Sequence, residues 1–220
     1  MKKIFYLAAL LMLLTGCATK GPEHYEELTE PDGTVHELTE EEKQEIQKKE
    51  WEKIKKKYPD IDFPEGMQLE YAKLYAENQD FVGYLSADGV NLSLPIVQAQ
   101  DDEEYMQKNF YGAKTKYGCP FVTHVNNISP LDTNTVIFGH HMNNGTVFGT
   151  LDAYKSIDGF RKAPVITFNT LSEDYQWKII AAFVTNAYEE DDNGYVFKYY
   201  FTSLSTTERY ASYLSELSQR

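Results

Sequence analysis

Thr135-Val-Ile-Phe-Gly-His-His-Met-Asn-Asn-Gly-Thr-Val-Phe-Gly-Thr-Leu151 joins a β-forming run to a polar, glycine-bearing loop and sets two adjacent histidines at the junction. Thr135, Val136, Ile137 and Phe138 are β-branched or aromatic and read as a buried strand, Gly139 ends it, and Asn143-Asn144-Gly145 is turn chemistry. His140 therefore stands at a strand end, where a rigid scaffold commonly holds functional side chains. A histidine there serves equally well as a hydrogen-bonded structural residue, so the stretch by itself leaves its role open.

The β pattern continues on both sides. Short apolar runs at residues 81–85, 90–97, 118–124, 135–138, 165–169 and 176–184 are separated by Asp-Gly, Asn-Asn, Ser-Pro and Ser-Glu-Asp turns. Six or so short strands with few helices predict a mainly β fold, a closed or half-closed β-barrel. Helices are expected at its ends. Thr39-Glu-Glu-Glu42 is a capping box that opens a charged helix closing with Lys55-Lys56-Lys57 before Pro59, acid first and base last as the helix dipole favours. Its apolar stripe of Trp51, Ile54 and Tyr58 is thin, which suits a helix lying along the domain edge. A second helix is expected over 68–78, and Ser205-x-x-Glu208 reads as a capping box for a last one, with Tyr210, Tyr213, Leu214 and Leu217 on one face.

The N-terminus reads as a targeting segment. Lys2-Lys3 precede an apolar core over 4–13, too short to span a bilayer comfortably, and Leu14-Thr15-Gly16-Cys17 follows. This is the pattern of a bacterial lipoprotein signal with Cys17 as the lipidated first residue of the mature protein; an uncleaved signal anchor is the alternative. Residues 1–17 are then signal peptide, 18–38 a flexible tether rich in Glu, Pro and Gly, 39–66 the charged helix and a linker, and 67–220 the barrel domain. The expected location is extracytoplasmic, held to the membrane by lipid. A 42% hydrophobic share over 220 residues is enough for one sizeable core. A net charge of -13 argues against nucleic acid as a partner, since phosphate neutralisation needs a basic face.

Several motifs in one order carry a family resemblance. Asn78-x-Asp80-Phe-Val-Gly83-Tyr84-Leu85, then Leu94-Pro95-Ile-Val-Gln98, then Tyr105-Met106-x-x-Asn109-Phe110-x-Gly112, then the His140 stretch with Leu151 and Tyr154, are similar in order and spacing to class B sortases, the cysteine transpeptidases of Gram-positive cell surfaces. The resemblance implies a sortase-like barrel with N-terminal helices and a helix near the C-terminus. It implies a sorting-signal peptide and a cell-wall amine acceptor as partners, with no cofactor and no metal. By the same resemblance His140 is the general acid/base. A thiolate attacks the threonine carbonyl of the sorting signal, an imidazolium protonates the departing amine, a guanidinium supports the oxyanion, and an amine resolves the thioacyl enzyme.

The pattern is incomplete. The family's nucleophile strand, roughly Thr-Leu-Ser-Thr-Cys with an Arg beyond it, has no counterpart in these 220 residues, and Arg161, Arg209 and Arg220 do not fall where the family's Arg does. Ser203-Leu204-Ser205-Thr206-Thr207 echoes that strand without a Cys. The expectation is a C-terminally truncated barrel, its last strands missing and its transpeptidation impaired. The alternative is a non-catalytic sortase-like lipoprotein that binds surface peptides. With Cys17 acylated, Cys119 has no disulfide partner and is the remaining thiol. The resemblance assigns Cys119 to packing, and a substitute nucleophile is its other reading. His141 takes the neighbouring loop position with its ring expected toward solvent. A zinc site from His124, His140 and His141 lacks the helical or Cys/His spacing that marks such sites.

Overall fold

The computed structural model describes residues 27–29, 35–185, 197 and 203–219. The expected signal peptide and its Cys17 lie outside them. Where a tether is expected, strands β1 (Glu27–Thr29) and β2 (Val35–Glu37) form an antiparallel pair, so that segment is not structureless throughout. Pro31-Asp32-Gly33 between them is a hairpin signal that a reading from Glu, Pro and Gly content passes over.

Helix α1 (Glu40–Lys57) starts as its capping box requires. Thr39 Oγ1 accepts from the Glu42 backbone N–H at 3.3 Å, and the Glu42 carboxylate accepts from the Thr39 N–H at 2.9 Å. None of its residues is fully buried, and its stripe meets the domain through Trp51, edge-on to Phe63 at 5.5 Å. The second helix divides into a 3-10 turn, Leu69–Tyr71, and α2 (Ala72–Glu77). Gln68 ties its start to a distant turn, donating from its backbone to the Leu171 carbonyl (2.7 Å) and from Nε2 to Asp174 Oδ1 (3.0 Å).

The sheet is built on β3 (Phe81–Ala87) and β4 (Leu92–Val97), joined by a tight turn in which Gly89 and Asn91 take positive φ. β7 (Val165–Thr170) pairs with the other side of β3, and β8 (Gln176–Lys178) with β7. On the far side β5 (Phe121–Val122) runs parallel to β4 and pairs antiparallel with β6 (Ile137–Phe138). The order β6-β5-β4-β3-β7-β8 curls into a half-barrel with helices at both ends of the chain. Leu85, Leu92, Ile96, Val122, Ile166 and Phe168 fill its concave face, and Phe148 and Tyr154 close over them. An apolar cavity of about 70 Å³ remains there, between Leu85, Leu92, Ile137, Tyr154, Ile166 and Phe183.

Three strands are shorter than the apolar pattern predicts. β8 stops at Lys178, although the apolar pattern runs to Val184. Its partner β7 begins at Val165, and after the Ile179 N–H reaches the Pro164 carbonyl (3.0 Å) the neighbouring chain turns into α3 (Ile157–Lys162), leaving Ile180 and Val184 exposed. β6 starts at Ile137 because the Val136 N–H donates to the Asn126 side chain at 2.9 Å instead of to a strand. β5 is only two residues long, although the Thr123 N–H still reaches the Val136 carbonyl at 3.1 Å. Between β6 and β7 the chain is helical, a 3-10 segment (Phe148–Lys155) followed by α3, capped by Ser156 Oγ accepting from the Gly159 N–H. At the other end, α4 (Thr207–Leu217) is capped by Thr206, which accepts from the Arg209 N–H at 3.2 Å, one residue later than the expected Ser205. Tyr213 and Leu217 face inward as the spacing predicts.

Candidate active site

β6 delivers His140 two residues past its end. The imidazole rests against Gly118, which sits at φ +63 and has no room for a side chain: a Cβ there would lie 2.8 Å from the Tyr105 carbonyl oxygen and 2.9 Å from His140 Nδ1. His140 is half-buried, and its own carbonyl accepts the Phe148 N–H at 3.1 Å. Phe148 in turn packs on Gly139, where a Cβ would meet its ring at 2.7 Å. The turn that follows is closed by a bridge between His141 and Val147, by the Gly145 N–H to the Met142 carbonyl (2.9 Å) and by Asn144 Oδ1 accepting from Thr146. Val147 adopts φ 51 and ψ -128, a conformation that strains a β-branched residue.

The adjacent histidines diverge. His141 does not face solvent as expected: its side chain is 18% exposed, with Nε2 2.7 Å from Asp152 Oδ1. Lys155 Nζ reaches the same oxygen at 2.6 Å. The hydrogen bonds from Lys155 and His141 hold the Asp152 carboxyl below the usual carboxylate range. No sequence signal marks Asp152 or Lys155, because their role comes from a contact across the turn rather than from a motif.

Cys119 is one residue from Gly118, yet its side chain belongs to another environment. It is buried among Tyr71, Phe81, Val97, Tyr105, Phe110 and Phe121, with Sγ 3.8 Å from the Pro95 carbonyl. Burial pushes its thiol up to about 12. The Tyr105 hydroxyl beside that cluster donates to Asp80 Oδ2 (2.8 Å) and accepts from Asn78 Nδ2 (2.8 Å), which gives the Asn78 and Asp80 of the sequence motif a structural use.

His124 lies past the opposite end of β5, its Nδ1 3.0 Å from Asp102 Oδ1, while Asp102 Oδ2 accepts from the Thr123 hydroxyl at 2.8 Å. His124 therefore does not join His140 and His141, and among the described residues no three metal-ligating side chains come together. The Ser203–Thr207 run is occupied with structural contacts: Ser203 bonds Ser205, the Leu204 N–H reaches the distant Thr133 Oγ1 at 2.7 Å, and Thr206 caps α4.

No family model matches the chain. Two characterised proteins are similar in sequence: sortase B of Staphylococcus aureus, 25% identical over 172 residues that make up 77% of this chain and 67% of that one; and sortase B of Listeria monocytogenes, 28% identical over 143 residues, 65% of this chain and 55% of that one. The Staphylococcus aureus sortase B–substrate complex matches in fold with a TM-score of 0.62 at 23% identity, covering 80% of this chain and 75% of that one, and a sortase B complexed with triglycine gives the same TM-score. A curled mixed sheet with a histidine past β6 and helices at both ends defines a sortase-type domain. By fold and by sequence, the chain is similar to class B sortases. The match leaves about a third of the first relative and nearly half of the second without a counterpart.

Proposed function

We propose that this chain forms the histidine-bearing wall of a sorting-signal peptide site on the cell surface, with His140 as the imidazole of a cysteine transpeptidation. The observation that supports it is the His140 ring, half-buried against Gly118 at a strand end and held there by a backbone closed on both sides. An imidazole so placed can donate a proton to a departing amine. The substrate and triglycine complexes of sortase B support a peptide and an amine as the two partners.

Cys119 is a packing residue in this reading. A thiol raised to about 12 has almost no thiolate at neutral pH, and its side chain is enclosed by aromatic rings. The 220-residue chain is accordingly expected to bind sorting-signal peptides without turning them over through Cys119. Tethering by lipid at Cys17 completes the proposal, supported by the Leu14-Thr15-Gly16-Cys17 pattern after a short apolar run.

The test is to incubate the full chain with a panel of sorting-signal peptides beside His140→Ala and Cys119→Ala variants, reading binding by fluorescence anisotropy and cleavage by mass spectrometry. Binding that weakens in His140→Ala supports the site, and no binding to any peptide would sink it. Cleavage abolished by Cys119→Ala would make that residue a nucleophile after all. Mass spectrometry of membrane fractions decides the anchor, which fails if Met1 is retained or Cys17 is unmodified.

A further inference from the structure

We propose that His141 is a positioning residue, whose hydrogen bond to Asp152 locks the 139–149 turn and so keeps His140 aimed at Gly118. The inference rests on the reading of His140 as the site's imidazole.

Residues 140 and 141 are consecutive in extended chain, where neighbouring side chains leave on opposite sides. Rotating the backbone to swing one ring must therefore swing the other. His140 carries no hydrogen bond to its ring among the described residues, and it lies against Gly118 on its own side. His141 is the anchored member, with its Nε2 2.7 Å from Asp152. Asp152 is itself fixed: it sits in the 3-10 segment behind Phe148, and Lys155 one turn on holds the same carboxylate oxygen at 2.6 Å.

The anchor has a load to carry. Val147 faces His141 across the bridge in a backbone conformation that costs free energy, and the turn must be held from outside for that conformation to persist. The backbone bond from Phe148 to His140 and the Phe148 ring on Gly139 hold one side of the turn. His141 to Asp152 holds the other. The bond also occupies His141 Nε2, which gives His141 a structural use distinct from that of its neighbour His140. A site atom displaced by a small shift loses catalytic and binding power, so its supporting contact is part of the function.

The experiment uses the full chain labelled with isotope-enriched histidine, the rings of His140 and His141 being assigned by single replacement with Gln. In the wild type, the His141 Nε2 proton is expected to exchange slowly with water. Asp152→Ala and His141→Gln are expected to broaden or double the His140 ring signals, and to weaken peptide binding by about threefold to tenfold, with the far-UV circular dichroism unchanged. Asp152→Asn, which keeps an acceptor oxygen, is expected to retain a single His140 signal. Unaltered His140 signals in both Asp152→Ala and His141→Gln would overturn the proposal. Should those variants fail to fold, the wild type decides alone: a freely exchanging His141 Nε2 proton overturns the anchor, and a protected one supports it. Wild-type chain that binds no peptide would sink the proposed function, while the ring signals would still judge the anchor.

Discussion

Cys119 and His140 flank the same glycine, and they differ in everything that matters to reactivity. The Gly118 backbone presents one face to the imidazole, which is half-buried, while the next residue turns its thiol into a shell of aromatic rings. Desolvation suppresses the thiolate, whereas the half-buried imidazole keeps access to solvent. Nearness to one glycine thus does not fix a side chain's surroundings; the direction of a Cα–Cβ bond separates a buried thiol from a half-buried imidazole.

The contrast can be broken most sharply through the thiol. With its ionisation moved from 9.0 to about 12, Cys119 should react with iodoacetamide at neutral pH about a thousandfold more slowly than in the urea-unfolded chain, as followed by mass spectrometry. Comparable rates in the two states would place the thiol in solvent and undo the comparison. Next in size is Gly118→Val. A β-branched residue at φ +63 that also meets the Tyr105 carbonyl and His140 Nδ1 should cost roughly 3 kcal/mol in denaturant unfolding, and should displace the His140 ring as well. A loss below about 1 kcal/mol would mean that the two regions do not press on each other there.

A further test of the thiol comes from pH. The folded state holds the Cys119 proton more tightly than the unfolded state, so its contribution is fully present below pH 9.0 and is lost as the pH rises toward about 12. Over that window the wild type should lose up to about 1.4 kcal/mol per pH unit more than Cys119→Ala, measured as the difference between their unfolding curves. Parallel curves would remove the buried thiol from the account. The smallest expected effect lies on the histidine side: Val147→Gly relieves a positive φ and should stabilise by about 1 kcal/mol in thermal unfolding, unless the side chain's packing outweighs the strain.

What could be read beforehand follows the range of each interaction. The α1 cap closes over three residues, and both of its hydrogen bonds are where Thr39-x-x-Glu42 puts them. β3 was legible because its alternation and the Asp88-Gly89 turn are local, and its burial alternates accordingly. The last helix was legible in its face and misread by one residue in its cap, since Ser205 and Thr206 offer the same hydroxyl chemistry and only the entry geometry of the chain chooses between them. The extent of β8 was not legible. A strand lasts as long as its partner, and the partner here turns into α3 before Pro164.

In the site, the sequence by itself determined that a histidine stands at the end of a β-forming run, that a glycine-bearing loop follows, and that the motifs come in the class B sortase order. These are matters of residue type and spacing, expressed within a turn or a strand. Only the tertiary structure decided that Gly118 is the surface His140 leans on, that Cys119 faces inward, and that His141 is bound to Asp152 across the turn. Each of those depends on which way a side chain leaves a backbone packed against a distant segment. That direction is set by the whole sheet's register, which no local pattern encodes.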